Sequence, residues 1–302
     1  MKAGFSATLP VDGVMLLDKP RGLSSNAALQ RVKRAMGARK AGHVGTLDPM
    51  ASGLLPVCLG EATKFSGYML AADKGYAADV LLGVTSTTGD AEGEMTAGGT
   101  VAVKRDELEA VLGRFCGDIM QVPPMFSALK RDGKPLYAYA RAGQTLEIAP
   151  RPVTIRAIRL TDFRPPEFSI EVRCSKGTYI RVLAEDIGRA LGCGGLLNGL
   201  RRTGVGAFDL SAAVSLEDLE ALPADARRQH LLPEDTLVSA LPEIVLDAAG
   251  ERLISTGRRV PTALDEGLYR LYDPKGRFAG LGEVAGGELA AKRLMTPVSG
   301  PK

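Results

Sequence analysis

The chain has 302 residues, 45% of them hydrophobic and 24% charged, with a formal net charge of +3. At about 150 residues per domain this length corresponds to roughly two domains, and the composition excludes a wholly disordered chain. No apolar run approaches the ~20 residues of a membrane span, and the opening MKAGFSATLPVDG has no apolar signal core, so the expected location is the cytoplasm.

The first apolar run, residues 14–17, reads as a buried strand stopped by the turn signal Asp18-Lys19-Pro20-Arg21-Gly22. Ser24 or Ser25 then caps a helix in which Ala28, Leu29, Val32, Ala35 and Met36 recur at helical spacing, and Gly37 ends it. Residues 41–64 carry Gly42, Gly45, Pro49 and Gly53, and read as a structured loop feeding a strand. Residues 76–84 read as another strand, and 104–115 as a helix with Leu108, Val111, Leu112 and Phe115 inward. The stretch 121–152 breaks this rhythm with prolines, glycines and the basic Lys130, Arg131, Lys134 and Arg141, and reads as an insertion. Residues 168–174 alternate, with Phe168, Ile170, Val172 and Cys174 on one face, and lead into a helix over 178–191 closed by Gly192. After Pro242 short apolar runs alternate with glycines. This predicts a small β-rich module over 244–302, after a main domain of residues 1–243.

Charge is segregated. Between Asp18 and Lys40 seven basic residues stand against one acidic residue, whereas the stretch around Asp90, Glu92 and Glu94 is acidic. A basic surface of this kind is the electrostatic footprint of a nucleic-acid binder, although a solvated helix face has the same composition. Cys58, Cys116, Cys174 and Cys193 show no CxxC spacing and sit in apolar or glycine-rich stretches, the pattern of buried, reduced thiols. With only His43 and His230, and no HExxH, no metal site is expected. Neither a Walker-type phosphate loop nor a dinucleotide fingerprint occurs.

Two segments carry chemistry. In His43-Val44-Gly45-Thr46-Leu47-Asp48-Pro49 an aspartate sits in a Gly/Pro-rich turn between apolar residues, where a carboxylate can be held rigidly as a nucleophile or base; Asp before Pro is also a common turn residue. In Ser175-Lys176-Gly177-Thr178-Tyr179-Ile180-Arg181 the arginine falls in the first turn of a helix, where a cation opposes the helix dipole. That position calls for a compensating carboxylate or phosphate, unless the side chain simply reaches solvent.

Taken in order, GHVGTLDPMASGLLPVCLGEATKF, DKPRGLSSN, KGYAADVLLGV, TGDAEGE, QVPPMFSALKRDGKPLYAYAR, CSKGTYIRVLAEDIG and LRRTGVG resemble the motifs of the TruB-type bacterial tRNA pseudouridine-55 synthases, from about Val14 to Phe208. The C-terminal module resembles that family's PUA domain through weaker motifs. Ser86 in TSTTGD, where an acidic residue is expected, and Phe126 in PPMFSALK, where tyrosine is frequent, depart from the pattern.

The resemblance implies an α+β fold: a mixed, largely antiparallel sheet flanked by helices, with a PUA-like RNA-binding domain behind it. It implies isomerisation of a uridine in the T-loop of tRNA, and the chain is expected to be monomeric; such an isomerisation is redox-neutral, so no cofactor is expected, and the sequence shows no ligand cluster for a metal. Asp48 matches the family's catalytic aspartate, Arg181 its arginine partner, and Tyr76 the tyrosine beside the target base. His43 matches a residue that holds the extruded nucleotide. Tyr179 and Leu200 match residues lining the uracil pocket, and Lys19, Pro20 and Lys64 complete the substrate-binding set. The insertion of about 124–152 is expected to fold over the RNA. Arg31, Lys33, Arg34, Lys130, Arg131 and Lys134 are expected to face phosphates.

The chemistry agrees with these roles. A base inside a folded loop must be extruded before it can react, and an aromatic face such as Tyr76 or His43 can stack on it. The carboxylate is needed to attack the anomeric carbon, to assist proton loss from the sugar, or to add to the ring, and the sequence leaves these three open. Tyr76 is expected to remove the C5 proton afterwards. A folding chaperone activity on tRNA is compatible with the same chain. The rival readings are an RNA-binding chaperone without relevant catalysis and a carboxylate-dependent hydrolase; no paired acid beside Asp48 is evident for the latter.

Overall fold

The computed structural model describes residues 11–296. Residues 1–10, which hold most of the stretch read for a signal, lie outside the described residues, as do residues 297–302 of the C-terminal module.

The main sheet has eleven strands. Those used below are β1 (Gly13–Lys19), β2 (Ala41–His43), β3 (Ser52–Leu59), β4 (Lys74–Leu82), β5 (Gly117–Gln121), β6 (Arg151–Arg164), β7 (Glu167–Cys174), β8 (Gly195–Val205) and β9 (Val214–Ser215). They run in the spatial order β9-β1-β3-β8-β4-β7-β6-β5, with β2 paired to β3. The β1–β9 and β3–β8 pairs are parallel and the other pairs in this series antiparallel, so the sheet is mixed and largely antiparallel.

The alternation read over 168–174 is realised in β7, where Phe168, Ile170, Val172 and Cys174 are all buried. They pack beneath helix α3 (Ile180–Ala190), whose Ile180, Leu183, Ala184 and Ile187 face the same core, and beneath Leu108 and Leu112 of helix α2 (Arg105–Arg114). Helix α1 (Ser25–Met36) covers β1 and β3 with Ala28, Leu29, Val32 and Met36. Ser24 is its N-cap, accepting from the Ala27 amide, and Gly37 closes it in the left-handed conformation. Such a cap contributes about 1 kcal/mol.

One close approach fixes the centre of the sheet. Gly53 lies at φ +102° opposite Arg202, and a Cβ there would stand 2.3 Å from the Arg202 carbonyl oxygen. Only glycine lets β3 and β8 meet at this point.

The C-terminal strands form a separate five-stranded sheet, beginning with Glu243–Val245 paired parallel to Gly267–Tyr272. This module is packed against the main body. Phe278 meets Phe65 edge-on at 5.2 Å, Leu281 lies in one cluster with Val14, Leu16 and Cys58, and the Tyr272 hydroxyl donates to Asp235 at 2.7 Å.

One expectation is corrected. Cys58, Cys174 and Cys193 are buried, but Cys116 is exposed. It sits in the turn between α2 and β5, and β5 is the terminal strand of the sheet order, with no further strand to cover that turn.

Candidate active site

A cavity of about 580 Å³ opens where the loop between β2 and β3 faces the start of α3, and Asp48, Tyr76, Tyr179, Arg181 and Leu200 all line it. Five residues singled out in the sequence therefore converge from four separate segments.

The loop carrying Asp48 has little regular structure and is fixed by partners on every side. Ser25 Oγ accepts from the Leu47 amide at 2.7 Å and donates to the Leu47 carbonyl at 2.9 Å. The Gly22 amide donates to the Pro49 carbonyl, Arg21 Nε to the Met50 carbonyl, and the Val44 amide to the Pro56 carbonyl. From below, buried Arg202 donates to the carbonyls of Gly45, Thr46 and Leu54. Satisfied backbone groups of this kind hold a loop as firmly as a strand.

Arg181 is the second residue of α3, and its place against the helix dipole is compensated twice. Nη2 lies 3.0 Å from Asp48 Oδ2, and Nε lies 3.5 Å from Asp90 Oδ2. Nη1 donates to the Thr88 carbonyl at 3.0 Å and Nη2 to the Phe126 carbonyl at 2.8 Å. Asp90 is itself held by the Thr88 hydroxyl at 2.6 Å and the Glu92 amide at 3.1 Å.

Asp90 was legible only as part of an acidic stretch, and no second acid was expected near Asp48. The fold separates the three acids of that stretch: Asp90 is buried behind Arg181, whereas Glu92 and Glu94 are exposed. Asp90 is not among the residues lining the cavity.

Tyr76 lies on β4 opposite Val172 and Arg202. Burial raises its phenol pKa, and the positive charge of Arg202 beside it opposes that rise. Tyr179 is clamped through its backbone: its amide donates to Gln121 Oε1 at 3.0 Å, and Gln121 Nε2 donates to its carbonyl at 3.3 Å. Burial also raises the Tyr179 pKa, opposed by the Ser127 hydroxyl and Arg181. Ser127 and Leu129 bring the insertion to the cavity wall.

Four other residues of the expected set are not among those lining this cavity. Lys19 is fully buried, with Nζ donating to the carbonyls of Pro20 and Leu23. Burial lowers its pKa to about 8. Pro20 borders a separate surface cleft with Arg21 and Arg31. His43 lies on β2, its Nδ1 buried without a protein partner, and burial together with Arg202 lowers its pKa. Lys64 faces the C-terminal module, bonded to Glu61, the Leu294 carbonyl and Thr296 Oγ1.

Of the basic residues, Arg34, Lys130, Arg131 and Lys134 are exposed. Arg31 is engaged with Glu220 through two hydrogen bonds, and Arg131 Nη1 donates to the Glu147 carbonyl. Among the described residues no group of three or more His, Cys, Asp or Glu side chains is gathered as a metal site requires. No helix among them is long and apolar enough to cross a membrane.

The large mixed sheet is the fold that the sequence motifs implied, and sequence comparison gives the family. The chain matches the N-terminal domain of the TruB family pseudouridylate synthases over residues 33–180. It matches the tRNA pseudouridylate synthase B C-terminal domain over 181–239 and the C-terminal domain of pseudouridine synthase II TruB over 242–295. The chain belongs to the TruB family.

It is 55% identical over 291 residues to the tRNA pseudouridine synthase B of Azoarcus sp. (strain BH72), covering 96% of this chain and 97% of that protein. It is 54% identical over 293 residues to the protein of the same name from Burkholderia mallei (strain NCTC 10247), covering 94% and 97%. Among solved structures it resembles an archaeal box H/ACA sRNP Nop10–Cbf5 complex, with TM-score 0.71, 25% identity, and coverage of 98% of this chain and 89% of that one. It also resembles a Cbf5–Nop10–Gar1 complex, with TM-score 0.68, 28% identity, and coverage of 90% and 78%.

Proposed function

We propose that this chain converts uridine 55 in the T-loop of tRNA to pseudouridine in the cytoplasm. The observation that carries the proposal is the Asp48–Arg181 ion pair in a cavity walled by Tyr76, Tyr179 and Leu200. The reaction is redox-neutral. The N1–C1′ bond breaks, the uracil turns, C5 bonds to C1′, the C5 proton leaves and N1 gains a proton. Asp48 is the carboxylate this sequence requires, and Arg181 orients it. Tyr76 takes the C5 proton, and the apolar side chain of Leu200 supports the ring.

The target base lies inside a folded RNA loop and must be flipped into the cavity. The insertion reaches the cavity wall through Ser127 and carries exposed Lys130, Arg131 and Lys134, which suits it to grip the RNA around the flipped base. The C-terminal sheet supplies a second RNA contact remote from Asp48.

Tritium release from a tRNA transcript labelled at uridine C5 tests the reading. Wild-type protein is expected to release tritium from position 55. Asp48→Asn is expected to release none while retaining tRNA affinity. Release by Asp48→Asn at near the wild-type rate would overturn the assignment.

A further inference from the structure

Arg202 is a buried charge without a counter-charge and, unlike the buried Lys19 and Lys74, it cannot shed its proton to escape the cost. Its residue is 1% exposed, yet it lines the cavity. Its hydrogen-bond partners are three carbonyl oxygens, the Tyr76 phenol is its neighbour across the sheet, and among the described residues no carboxylate pairs with it. Its neighbours do not offset it: Lys19, His43 and Lys74 each have their protonated form disfavoured by its proximity. An uncompensated buried cation is strongly destabilising, so a site that keeps one has a use for it. Arg181, by contrast, has two carboxylates.

The geometry points to an anion that appears only during the reaction. Tyr76 and Arg202 are opposite each other in the β4–β8 register, so the backbone itself sets guanidinium against phenol. The other titratable groups acting on Tyr76 are Cys174 on β7 and Asp48 on the loop. Burial pushes the Cys174 thiol up to about 11, so it is neutral near pH 7, and Asp48 disfavours a phenolate. Arg202 is therefore the group in this set that favours a negative charge on Tyr76.

We propose that Arg202 is the positioning residue for proton removal, holding Tyr76 in place and stabilising its phenolate. The inference rests on the reading that Tyr76 takes the C5 proton. In that step the phenolate oxygen takes the proton from C5, and the C5–H electron pair forms the C5–C6 double bond. The C6–N1 π pair passes to N1, which is then protonated. The same guanidinium holds the carbonyls of Gly45 and Thr46, so one residue ties the proton acceptor to the loop bearing Asp48.

The test uses the full chain labelled with [ζ-13C]tyrosine, with the Tyr76 signal assigned through Tyr76→Phe. Its titration is followed by NMR in wild type, Arg202→Gln and Arg202→Lys, and single turnover on saturating tRNA is measured alongside. Arg202→Gln, without the charge, is expected to titrate at least about one pH unit higher, a tenfold loss of phenolate at a given pH, and to turn over about tenfold more slowly at neutral pH. Its rate is expected to keep rising with pH beyond the point where wild type levels off. Arg202→Lys, with the charge, is expected to titrate within about half a unit of wild type and to keep most of the rate.

An unmoved titration in folded Arg202→Gln overturns the proposal. A moved titration with unmoved turnover supports the coupling and overturns the role of Tyr76 as proton acceptor. Should Arg202→Gln fail to fold, Arg202→Lys decides the matter: a folded Lys variant as inactive as Asp48→Asn overturns the proposal, and a preserved rate upholds it.

Discussion

Arg181 meets Asp48 asymmetrically: the arginine side chain is 6% exposed and the aspartate side chain 39% exposed. The cation is the fixed member and the anion faces the cavity. Nη2 serves Asp48 and Phe126 while Nη1 and Nε are held by Thr88 and Asp90, so the planar fork has no spare orientation. Arg181→Lys keeps the charge and loses that fork. Single turnover is expected to fall by at least about 100-fold, corresponding to about 2.7 kcal/mol of transition-state stabilisation, with tRNA affinity within about threefold of wild type. Near-normal turnover with weakened, less salt-sensitive binding would identify Arg181 as a phosphate clamp instead.

Asp90 supports the pair from behind. Its carboxylate accepts from the Thr88 hydroxyl and the Glu92 amide on one oxygen and faces Arg181 with the other. Asp90→Asn keeps the shape, removes the charge, and leaves Arg181 shared between Asp48 and two carbonyls. The expected result is a loss of about tenfold or more in single turnover, a smaller effect than at Arg181, with affinity retained. A variant that turns over at the wild-type rate would show that Asp48 alone orients the guanidinium.

The parts of this site legible in the sequence are those whose local pattern implies their surroundings. A cation at a helix start calls for a compensating anion, and Asp48, the acid singled out in the Gly/Pro-rich turn, is one of the two carboxylates that meet it. The strand face of Phe168 to Cys174 followed from simple alternation. Arg202 escaped because β8 has register shifts at Leu197/Gly199 and at Arg202/Gly204, which break the period that would have shown its inward face. Asp90 escaped because a buried acid and its two exposed neighbours read alike in a charge run. Lys64 carries no local signal of its own: its place in the substrate-binding set rests on resemblance, and its bonds in the fold run to Glu61 and the C-terminal module.

The basic residues do not all have the same freedom to meet RNA. Lys130 and Lys134 are exposed and carry no ion pair among the described residues, whereas Arg31 is already bonded to Glu220. Counterion release gives a salt slope of about −0.7 to −0.9 per neutralised phosphate. Replacing Lys130 and Lys134 together by alanine is therefore expected to flatten the log-affinity against log-salt slope by about one to two units. Arg31→Ala is expected to leave the slope nearly unchanged. Affinities titrated at several salt concentrations for the three proteins check this, and a flattened slope in Arg31→Ala would place α1 on the RNA.

Lys19 links the fold to pH. Lys19 is a buried residue, and burial is the largest cause lowering its pKa from 10.5 to about 8; Asp48 opposes that shift and Arg202 adds to it. Because the folded-state value lies below the unfolded one, the unfolded chain binds more protons between about pH 8 and 10.5, and stability rises with pH across that window. Below pH 8 the cost of burying the charge is fully present; above 10.5 it is relieved. The slope of this contribution is at most about 1.4 kcal/mol per pH unit. Lys19→Met removes the titrating group while keeping most of the volume, so its unfolding free energy is expected to lack this rise. It also loses the donors to Pro20 and Leu23, which offsets any gain at neutral pH. Urea unfolding of wild type and Lys19→Met at intervals from pH 7 to 10.5 gives the difference directly. The difference is expected to shift toward wild type as pH rises, and a flat one would mean that Lys19 titrates alike in the folded and unfolded chains.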